Sequence, residues 1–314
     1  MSFASDSPAP ARRKEPTQAG DTPAPTYPAS PTKRSRSTKA EMQVRRDALF
    51  AIVEAMNPMT VRQVFYQATV HGLVEKTEHG YGKVQTDLVA MRRGNALPYG
   101  WLADSTRWQR KPATFNSIHE ALEDTARFYR KSLWRGAASY VEVWLEKDAL
   151  AGVVYPVTAE YDVPLMVARG YASLSFLHTA SEAIGALTVP VHIYHLGDHD
   201  PSGVNAGEKI EQTLRELAPD AEIHFERIAV TREQIVEMGL PSRPTKTTDS
   251  RAKNFEGDSV ELDAIPPDAL RALVRDRIER HLPADELDVL KVAEASERTA
   301  LMVWARAIRE DAAG

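Results

Sequence analysis

The chain has 314 residues, with 39 lysine and arginine residues against 44 aspartate and glutamate residues, so its net charge is −5. It contains no cysteine, which excludes disulfides, a thiol nucleophile and a thiolate metal site. Any metal must then be held by carboxylate, imidazole or backbone oxygen ligands. No apolar run approaches membrane-spanning length and no signal-peptide core is evident, so we expect a soluble, intracellular protein of two domains.

Residues 1–38 differ in composition from the rest of the chain. They are rich in proline, alanine, serine and threonine and carry the basic islands "ARRK" and "KRSRSTK". Such a segment cannot bury enough apolar surface to fold, so we expect a disordered basic tail. A solvated leader is its simplest role; contact with a phosphate backbone and nuclear import are the alternatives.

Helical patterns dominate the next segment, residues 39–135. "VRRDALFAIVEAM" has helical apolar spacing, "NPMT" interrupts it, and Thr60 with Gln63 forms a capping-box pattern for a second helix. "GKVQTDLVAMRRGN" predicts a third helix that ends at Gly94, and "LPYGWLADSTRW" predicts a hairpin or wing. Three short helices followed by a wing are typical of a winged-helix DNA-binding domain.

Strand and helix patterns alternate from Tyr140 onward. The strand segments are "YVEVWLE", "VPLMVAR", "VPVHIYHLGD" and "EIHFERIAV", separated by amphipathic segments and followed by C-terminal helices. This βαβ series predicts an α/β domain over residues 136–314 with a parallel sheet and helices on its faces. The segment has no glycine-rich phosphate loop, so the chain alone does not resemble an ATPase.

Acidic residues follow two of the predicted strands. Glu146 ends the first strand, and Asp198 and Asp200 end the third. The carboxyl ends of parallel strands meet at one sheet edge, and adjacent carboxylates repel unless a cation lies between them. Hard oxygen ligands favour Mg²⁺, with Mn²⁺ as an alternative. The simpler interpretations are a solvated Asp-Pro-Ser-Gly turn and a helix-terminal charge at Glu146.

"LEKDAL", "VARGYASLSF" and "LGDHDPSG", within residues 141–203, resemble the Toprim domain of topoisomerases, DnaG-type primases and certain nucleases. They are most similar to topoisomerase VI A subunits and the related meiotic double-strand-break proteins. The resemblance implies a winged-helix domain followed by a Toprim domain. It also implies that Glu146, Asp198 and Asp200 are metal ligands, with an acid or base role as the alternative for Glu146.

Upstream, the family's Arg-x-x-aromatic-Tyr pattern is matched by Arg62, Phe65 and Tyr66. The resemblance implies that Tyr66 is the nucleophile, and an adjacent arginine suits attack on a phosphodiester. An apolar stripe of this helix is formed by Val61, Val64, Phe65 and Ala68. Because Tyr66 lies off that stripe and shares a face with Arg62, we expect it to point outward. A half-buried structural tyrosine is the alternative.

The third predicted helix aligns with the family's recognition helix. This alignment implies that Lys83, Arg92 and Arg93 contact DNA phosphates. A solvated basic helix face is an equally good interpretation of the same residues.

The resemblance covers residues 60–205 and fades afterwards. Ser202 stands where the family often has a larger residue. In the C-terminal third, Glu261 and Asp263 are candidates for outer metal ligands, and the basic candidates for tracking DNA are Lys246, Arg251 and Lys253. Ordinary surface charge is the favoured interpretation of all five.

The resemblance implies Mg²⁺-dependent double-strand cleavage in which Tyr66 forms a 5′-phosphotyrosyl link and frees a 3′ hydroxyl. It further implies double-stranded DNA as substrate, a homodimer that shares its sites, a separate ATPase subunit, and a cytoplasmic, nucleoid-associated protein. The first alternative is a hydrolytic Toprim endonuclease of the defence type. The second is a catalytically silent DNA-binding subunit; phosphatase or glycosyltransferase chemistry at Asp-x-Asp fits the strand order less well.

Overall fold

The computed structural model describes residues 38–103, 112–245, 255, 257–282 and 284–313. The predicted tail therefore lies outside the described residues, apart from Thr38. So do Lys246, Arg251 and Lys253.

Three helices form the N-terminal part of the described chain: α1 (Lys39–Met56), α2 (Val61–Val70) and α3 (Glu78–Arg93). They enclose an apolar core that includes Leu49, Val53, Val64, Phe65, Val84 and Leu88. The predicted capping box is present: the Thr60 side chain accepts the Gln63 N–H, and the Gln63 side chain accepts the Thr60 N–H. Helix α3 is followed by Gly94, as predicted.

The predicted wing is not a hairpin where it is described. Tyr99–Trp101 is a 3₁₀ turn, and Leu102 makes an isolated parallel bridge with Met59. Residues 104–111, the remainder of the predicted wing, lie outside the described residues. Pro98 enters the turn and cannot donate a ladder hydrogen bond, which disfavours a strand at this point.

The four predicted strands form one all-parallel sheet, which confirms the α/β class. The strands are β1 (Tyr140–Leu145), β2 (Leu165–Val167), β3 (Val191–Leu196) and β4 (Ile223–Ala229), in the order β2-β1-β3-β4. Helices α5 (Ala151–Glu160), α6 (Leu174–Gly185) and α7 (Pro201–Leu217) connect them. Because β2 and β3 lie on opposite sides of β1, the strand order reverses between β1 and β3.

Both faces of the sheet are buried along β1, which explains its nearly continuous apolar run, whereas His224 and Glu226 of β4 are exposed. On one face, Val143 and Leu145 belong to the same core as α5 and α9 (Pro267–Glu279). On the other face, Trp144 belongs to a core with residues of α6 and α7.

The remaining helices are α4 (Ile118–Phe128), α8 (Arg232–Glu237) and α10 (Ala284–Ala313). Helix α4 packs on α10, where His119 Nδ1 lies 2.7 Å from the Ala305 carbonyl oxygen. None of the described helices combines the length and the apolar character needed to cross a membrane.

Candidate active site at the sheet edge

The ends of β1 and β3 lie side by side where the strand order reverses, the position at which open parallel sheets bind ligands. The Glu146 N–H donates to the Leu196 carbonyl (2.9 Å), and Glu146 Oε2 accepts the Asp198 N–H (2.9 Å). The structure thus brings Glu146 and Asp198 to the same edge, as the strand pattern predicts.

Asp200 has a structural role that the sequence analysis did not assign to it. It is the N-cap of α7, where its Oδ1 accepts the Gly203 N–H at 2.8 Å. Its Oδ2 lies 3.8 Å from Arg243 Nη2. Asp200 therefore caps the start of α7 with one carboxylate oxygen, and its second oxygen faces the Arg243 guanidinium.

The carboxylates of Glu146 and Asp198 are held in surroundings that oppose their charge. Burial raises the pKa of Glu146, and the neighbouring Asp198 raises it further. Burial also raises the pKa of Asp198, although the Lys147 ammonium and the Leu262 N–H, which donates to Asp198 Oδ1 at 2.8 Å, act in the opposite direction.

Two glycines allow the chain to approach the Glu146 carboxylate closely. A Cβ on Gly197 would lie 2.7 Å from Glu146 Oε2, and one on Gly203 would lie 2.5 Å from the Asp198 carbonyl oxygen. A side chain at position 203 would have to displace the backbone of the turn, whereas one at position 197 would have to displace the side chains of Glu146 and His195. The Gly-x-x-x-x-x-Gly spacing of this turn is thus a steric requirement of the acidic edge.

Arg227, on β4, binds the backbone of the same turn through its guanidinium group. Its guanidinium donates to the carbonyls of Gly197 (2.8 Å), Gly203 (3.2 Å) and Asp198. Nothing in the alternating pattern of β4 marks this arginine, and the sequence analysis missed it.

Lys147 is the centre of the charged cluster at this edge. Its ammonium lies 2.9 Å from Asp263 Oδ2, 3.0 Å from Asp198 Oδ1 and 3.5 Å from Glu261 Oε2. Burial would lower the pKa of Lys147, but these carboxylates raise it above its usual range. The sequence analysis overlooked this residue, although it lies within the motif "LEKDAL".

The surface-charge interpretation of Glu261 and Asp263 is wrong. Only 9% of Glu261 and 2% of Asp263 is exposed. Val260 pairs with His199 in an isolated antiparallel bridge, which carries the following residues across the end of β3. The available signal was an acidic i, i+2 pair inside the apolar run "VELDAIPP".

A cavity of about 530 Å³ opens between the N-terminal helices and the sheet edge. From the helices it is lined by Thr60, Arg62, Tyr81 and Arg92, and from the sheet edge by Lys147, Asp148, Asp198, Glu261 and Asp263. Arg62 Nη1 pairs with Glu261 Oε2 at 3.0 Å, and Thr60 Oγ1 donates to Asp263 Oδ1 at 3.1 Å. The cavity therefore brings the cations Arg62, Arg92 and Lys147 beside Asp198, a carboxylate of the predicted metal site.

The prediction of an outward-facing Tyr66 is wrong for the single chain. Its side chain is 4% exposed and belongs to the core that includes β1 and α5. Burial raises its pKa to about 12; Glu261 raises it as well, whereas Arg62 and Lys147 lower it. The helical-wheel argument failed because a second surface, which includes the turn Leu262–Ala264, covers the side of α2 that it left open.

The basic residues predicted to contact DNA do not form one stripe. Helix α3 is continuous through Lys83 and Arg92, nine positions apart. At about 100° per residue, these two side chains leave opposite faces of the helix. Arg92 lies over the Tyr99 ring at 4.5 Å and lines the cavity, while Arg93 is exposed.

The predicted metal ligands have suitable chemistry but do not converge as they stand. Within the described ranges, no three histidine, aspartate or glutamate side chains are arranged to hold a metal ion. One oxygen each of Glu146, Asp198 and Asp200 accepts a backbone N–H, which orients the carboxylate. Their second oxygens are hard ligands, so the donor set fits Mg²⁺ or Mn²⁺ by its chemistry.

Comparison with protein-family models gives no match for this chain. A search of curated proteins gives no match either. The functional interpretation therefore depends on the residues and geometry of the sheet edge, together with the motif resemblance.

Proposed function

We propose that the chain is a metal-dependent DNA-cleaving enzyme of the topoisomerase VI A type, with a winged-helix domain and a Toprim domain. The observation that carries the proposal is that Glu146 and Asp198 lie at one sheet edge where the strand order reverses, with Asp200 at the start of the adjoining helix. The cavity beside them is lined by three cations and four carboxylates, and a phosphate group would contact its cations, which are Arg62, Arg92 and Lys147.

Glu146, Asp198 and Asp200 would hold the Mg²⁺ ion, with Mn²⁺ as a substitute. When bound, the ion neutralises charge on the scissile phosphate and on the departing oxygen. The backbone N–H groups that bind one oxygen of each carboxylate keep the ligands oriented. This orientation reduces the rearrangement that is needed on binding.

In the transesterification that we propose, Tyr66 Oη loses its proton and bonds to phosphorus while the bond between phosphorus and the 3′ oxygen breaks, and the departing 3′ oxygen takes up a proton. The product is a 5′-phosphotyrosyl link with a free 3′ hydroxyl, and reversal restores the DNA. Arg62 stabilises the phenolate and the charge that develops on the phosphate. Since Tyr66 is buried in the single chain, the reaction requires α2 to move relative to the sheet edge or a partner chain to supply its surroundings.

Hydrolysis is the second candidate, and the burial of Tyr66 favours it. A phenol with a pKa of about 12 and 4% exposure is a poor nucleophile as it stands. Water activated at the acidic edge would then attack the phosphate, with no covalent protein–DNA link.

The proposal also includes three binding partners. They are double-stranded DNA, a second copy of the chain that shares its sites, and a separate ATPase subunit. Arg92 and Arg93 are the members of the predicted recognition set that we retain for phosphate contact. Lys83 leaves the face of α3 opposite to Arg92, so it would contact a different phosphate from Arg92.

Cleavage of supercoiled plasmid in Mg²⁺, quenched with detergent with or without protease, tests the proposal. Wild-type protein should give breaks whose 5′ ends carry protease-sensitive protein, and Tyr66→Phe should give none while still binding DNA. Metal-dependent cutting by Tyr66→Phe, with protein-free ends, would establish hydrolysis instead. A lack of cleavage by wild-type protein with Mg²⁺ and with Mn²⁺ would leave the silent DNA-binding subunit.

A further inference from the structure

Glu261 is a carboxylate enclosed by three cations from separate parts of the chain. Arg62 Nη1 lies 3.0 Å from its Oε2, Lys147 Nζ lies 3.5 Å from the same oxygen, and Arg243 Nη1 lies 3.5 Å from its Oε1. Arg62 belongs to α2, Lys147 follows β1, and Arg243 follows α8. Contacts to both oxygens from three directions match the surroundings that proteins provide for a phosphate group.

The cations are more accessible than the anion they surround. The side chains of Arg62 and Arg243 are 41% and 46% exposed, whereas that of Glu261 is 11% exposed. Arg62, Lys147 and Glu261 all line the cavity described above. A ligand in this cavity would thus lie beside Arg62, Lys147 and Glu261, and Arg243, which is not a lining residue, contacts the other oxygen of Glu261 at 3.5 Å.

We propose that Arg62, Lys147 and Arg243 form a phosphate-binding site, and that Glu261 occupies this site as an internal anion when no ligand is bound. The ligand is a phosphate group. This assignment rests on the proposed function, under which the phosphate group is a backbone phosphodiester of DNA. Binding then exchanges the carboxylate for the phosphate, so Glu261 weakens DNA binding by competing for the same cations.

The local electrostatics support this exchange. Burial alone would raise the pKa of Glu261, but Lys147, Arg62 and Arg243 lower it, so the carboxylate is ionised at neutral pH. Lys147 remains paired with Asp263 and Asp198 when Glu261 leaves. Arg62 and Arg243 lose Glu261 as a partner and can turn to the phosphate, although Arg243 keeps Asp200 Oδ2 at 3.8 Å.

The test compares binding of a short DNA duplex by wild-type protein and by Glu261→Gln, in EDTA so that cleavage does not intervene. We expect Glu261→Gln to bind about tenfold more tightly, because one competing charge has been removed. The dependence of log K on log salt should also steepen by about one, because the substitution removes one negative charge from the site. Glu226→Gln is the matched control, since Glu226 pairs with Arg277 at 3.0 Å on the surface. Unchanged or weaker binding by a folded Glu261→Gln protein would overturn the inference.

A second variant covers the case in which Glu261→Gln does not fold. Arg243→Gln leaves Glu261 paired with Arg62 and Lys147 and should weaken duplex binding with a shallower salt dependence. Duplex binding equal to wild type would overturn the inference by this route.

Inorganic pyrophosphate separates the two sources of phosphate. If it binds Glu261→Gln more tightly than wild type while neither protein binds the duplex, the phosphate site stands and the proposed DNA function fails. If both proteins bind the duplex equally, the proposed function survives and the internal-anion inference fails.

Discussion

Lys147 illustrates how burial and pairing together set the charge of one residue at the sheet edge. Burial would remove its proton, but Asp263, Asp198 and Glu261 hold the ammonium in its charged form. An amine in such surroundings cannot act as a base near neutral pH. Its contribution is electrostatic: it lowers the mutual repulsion of the carboxylates and adds positive charge to the cavity wall.

His195 is the buried titratable residue of this edge that lacks such compensation. It is 1% exposed, stacks on Phe225, and neither ring nitrogen has a hydrogen-bond partner among the described residues. Burial, aided by Arg227, lowers its pKa to about 3. In the unfolded chain a histidine binds its proton near pH 6.5. The free energy of unfolding is therefore unaffected by this residue above pH 6.5 and falls as the pH drops from 6.5 toward 3.

We therefore expect the free energy of unfolding of His195→Leu to fall less steeply than that of wild type between pH 6.5 and pH 4. Each pH unit should remove up to about 1.4 kcal/mol less from the variant than from wild type. At pH 7 the two should differ little, since losing an unpaired imidazole offsets changed packing. Urea unfolding at pH 7 and pH 5 measures this, with exposed His178→Leu as the control. Parallel losses in wild type and His195→Leu would contradict the assigned pKa.

At the scale of elements, the start of α7 combines a helix cap with a proposed metal ligand. Asp200 caps the helix through the Gly203 N–H, so two roles depend on one side chain. An alanine at this position removes both at once.

Asp200→Asn separates the two roles. Its amide oxygen can still accept the Gly203 N–H, whereas Asp200→Ala loses the cap and should lower the unfolding free energy by about 1 kcal/mol. Both variants should lose Mg²⁺-dependent cleavage, because neither supplies the carboxylate. Thermal melts and the plasmid assay together check this. Wild-type cutting by a folded Asp200→Asn protein would remove Asp200 from the metal site.

Helices and strands could be predicted from the sequence where their pattern depends only on residues close together in the chain. The apolar runs of β1 and β3 follow from burial on both faces, and the acids that follow them mark the strand ends. The Thr60 capping box is likewise local. The burial of Tyr66 was not predictable in this way, because α2 meets residues near Asp263, which Thr60 contacts across 203 positions of sequence. Periodicity within one helix carries no information about so distant a partner.

At the scale of the whole described chain, polar contacts connect the N-terminal helices to the sheet domain. Thr60 donates to Asp263, Lys76 Nζ donates to the Ser242 carbonyl at 2.7 Å, and Arg271 donates to the Pro58 carbonyl at 3.1 Å. The same interface buries Tyr66. A tyrosine nucleophile thus depends on how these two parts of the molecule separate or on what a second chain provides.

Co-expression of Tyr66→Phe and Asp200→Asn chains, each with its own tag, tests whether sites are shared between copies. Because Tyr66 is packed in the core of its own chain, with a pKa of about 12, we expect it to act in surroundings completed by a partner. A mixed dimer would then contain one site with both Tyr66 and Asp200 intact. Protein purified through both tags should nick supercoiled plasmid and carry a covalent DNA link on the Asp200→Asn chain.

Each variant purified alone should be inactive and serves as the control. If the mixed protein leaves the plasmid intact while wild type breaks both strands, each chain holds its own complete site, and α2 must open within the single chain to expose Tyr66.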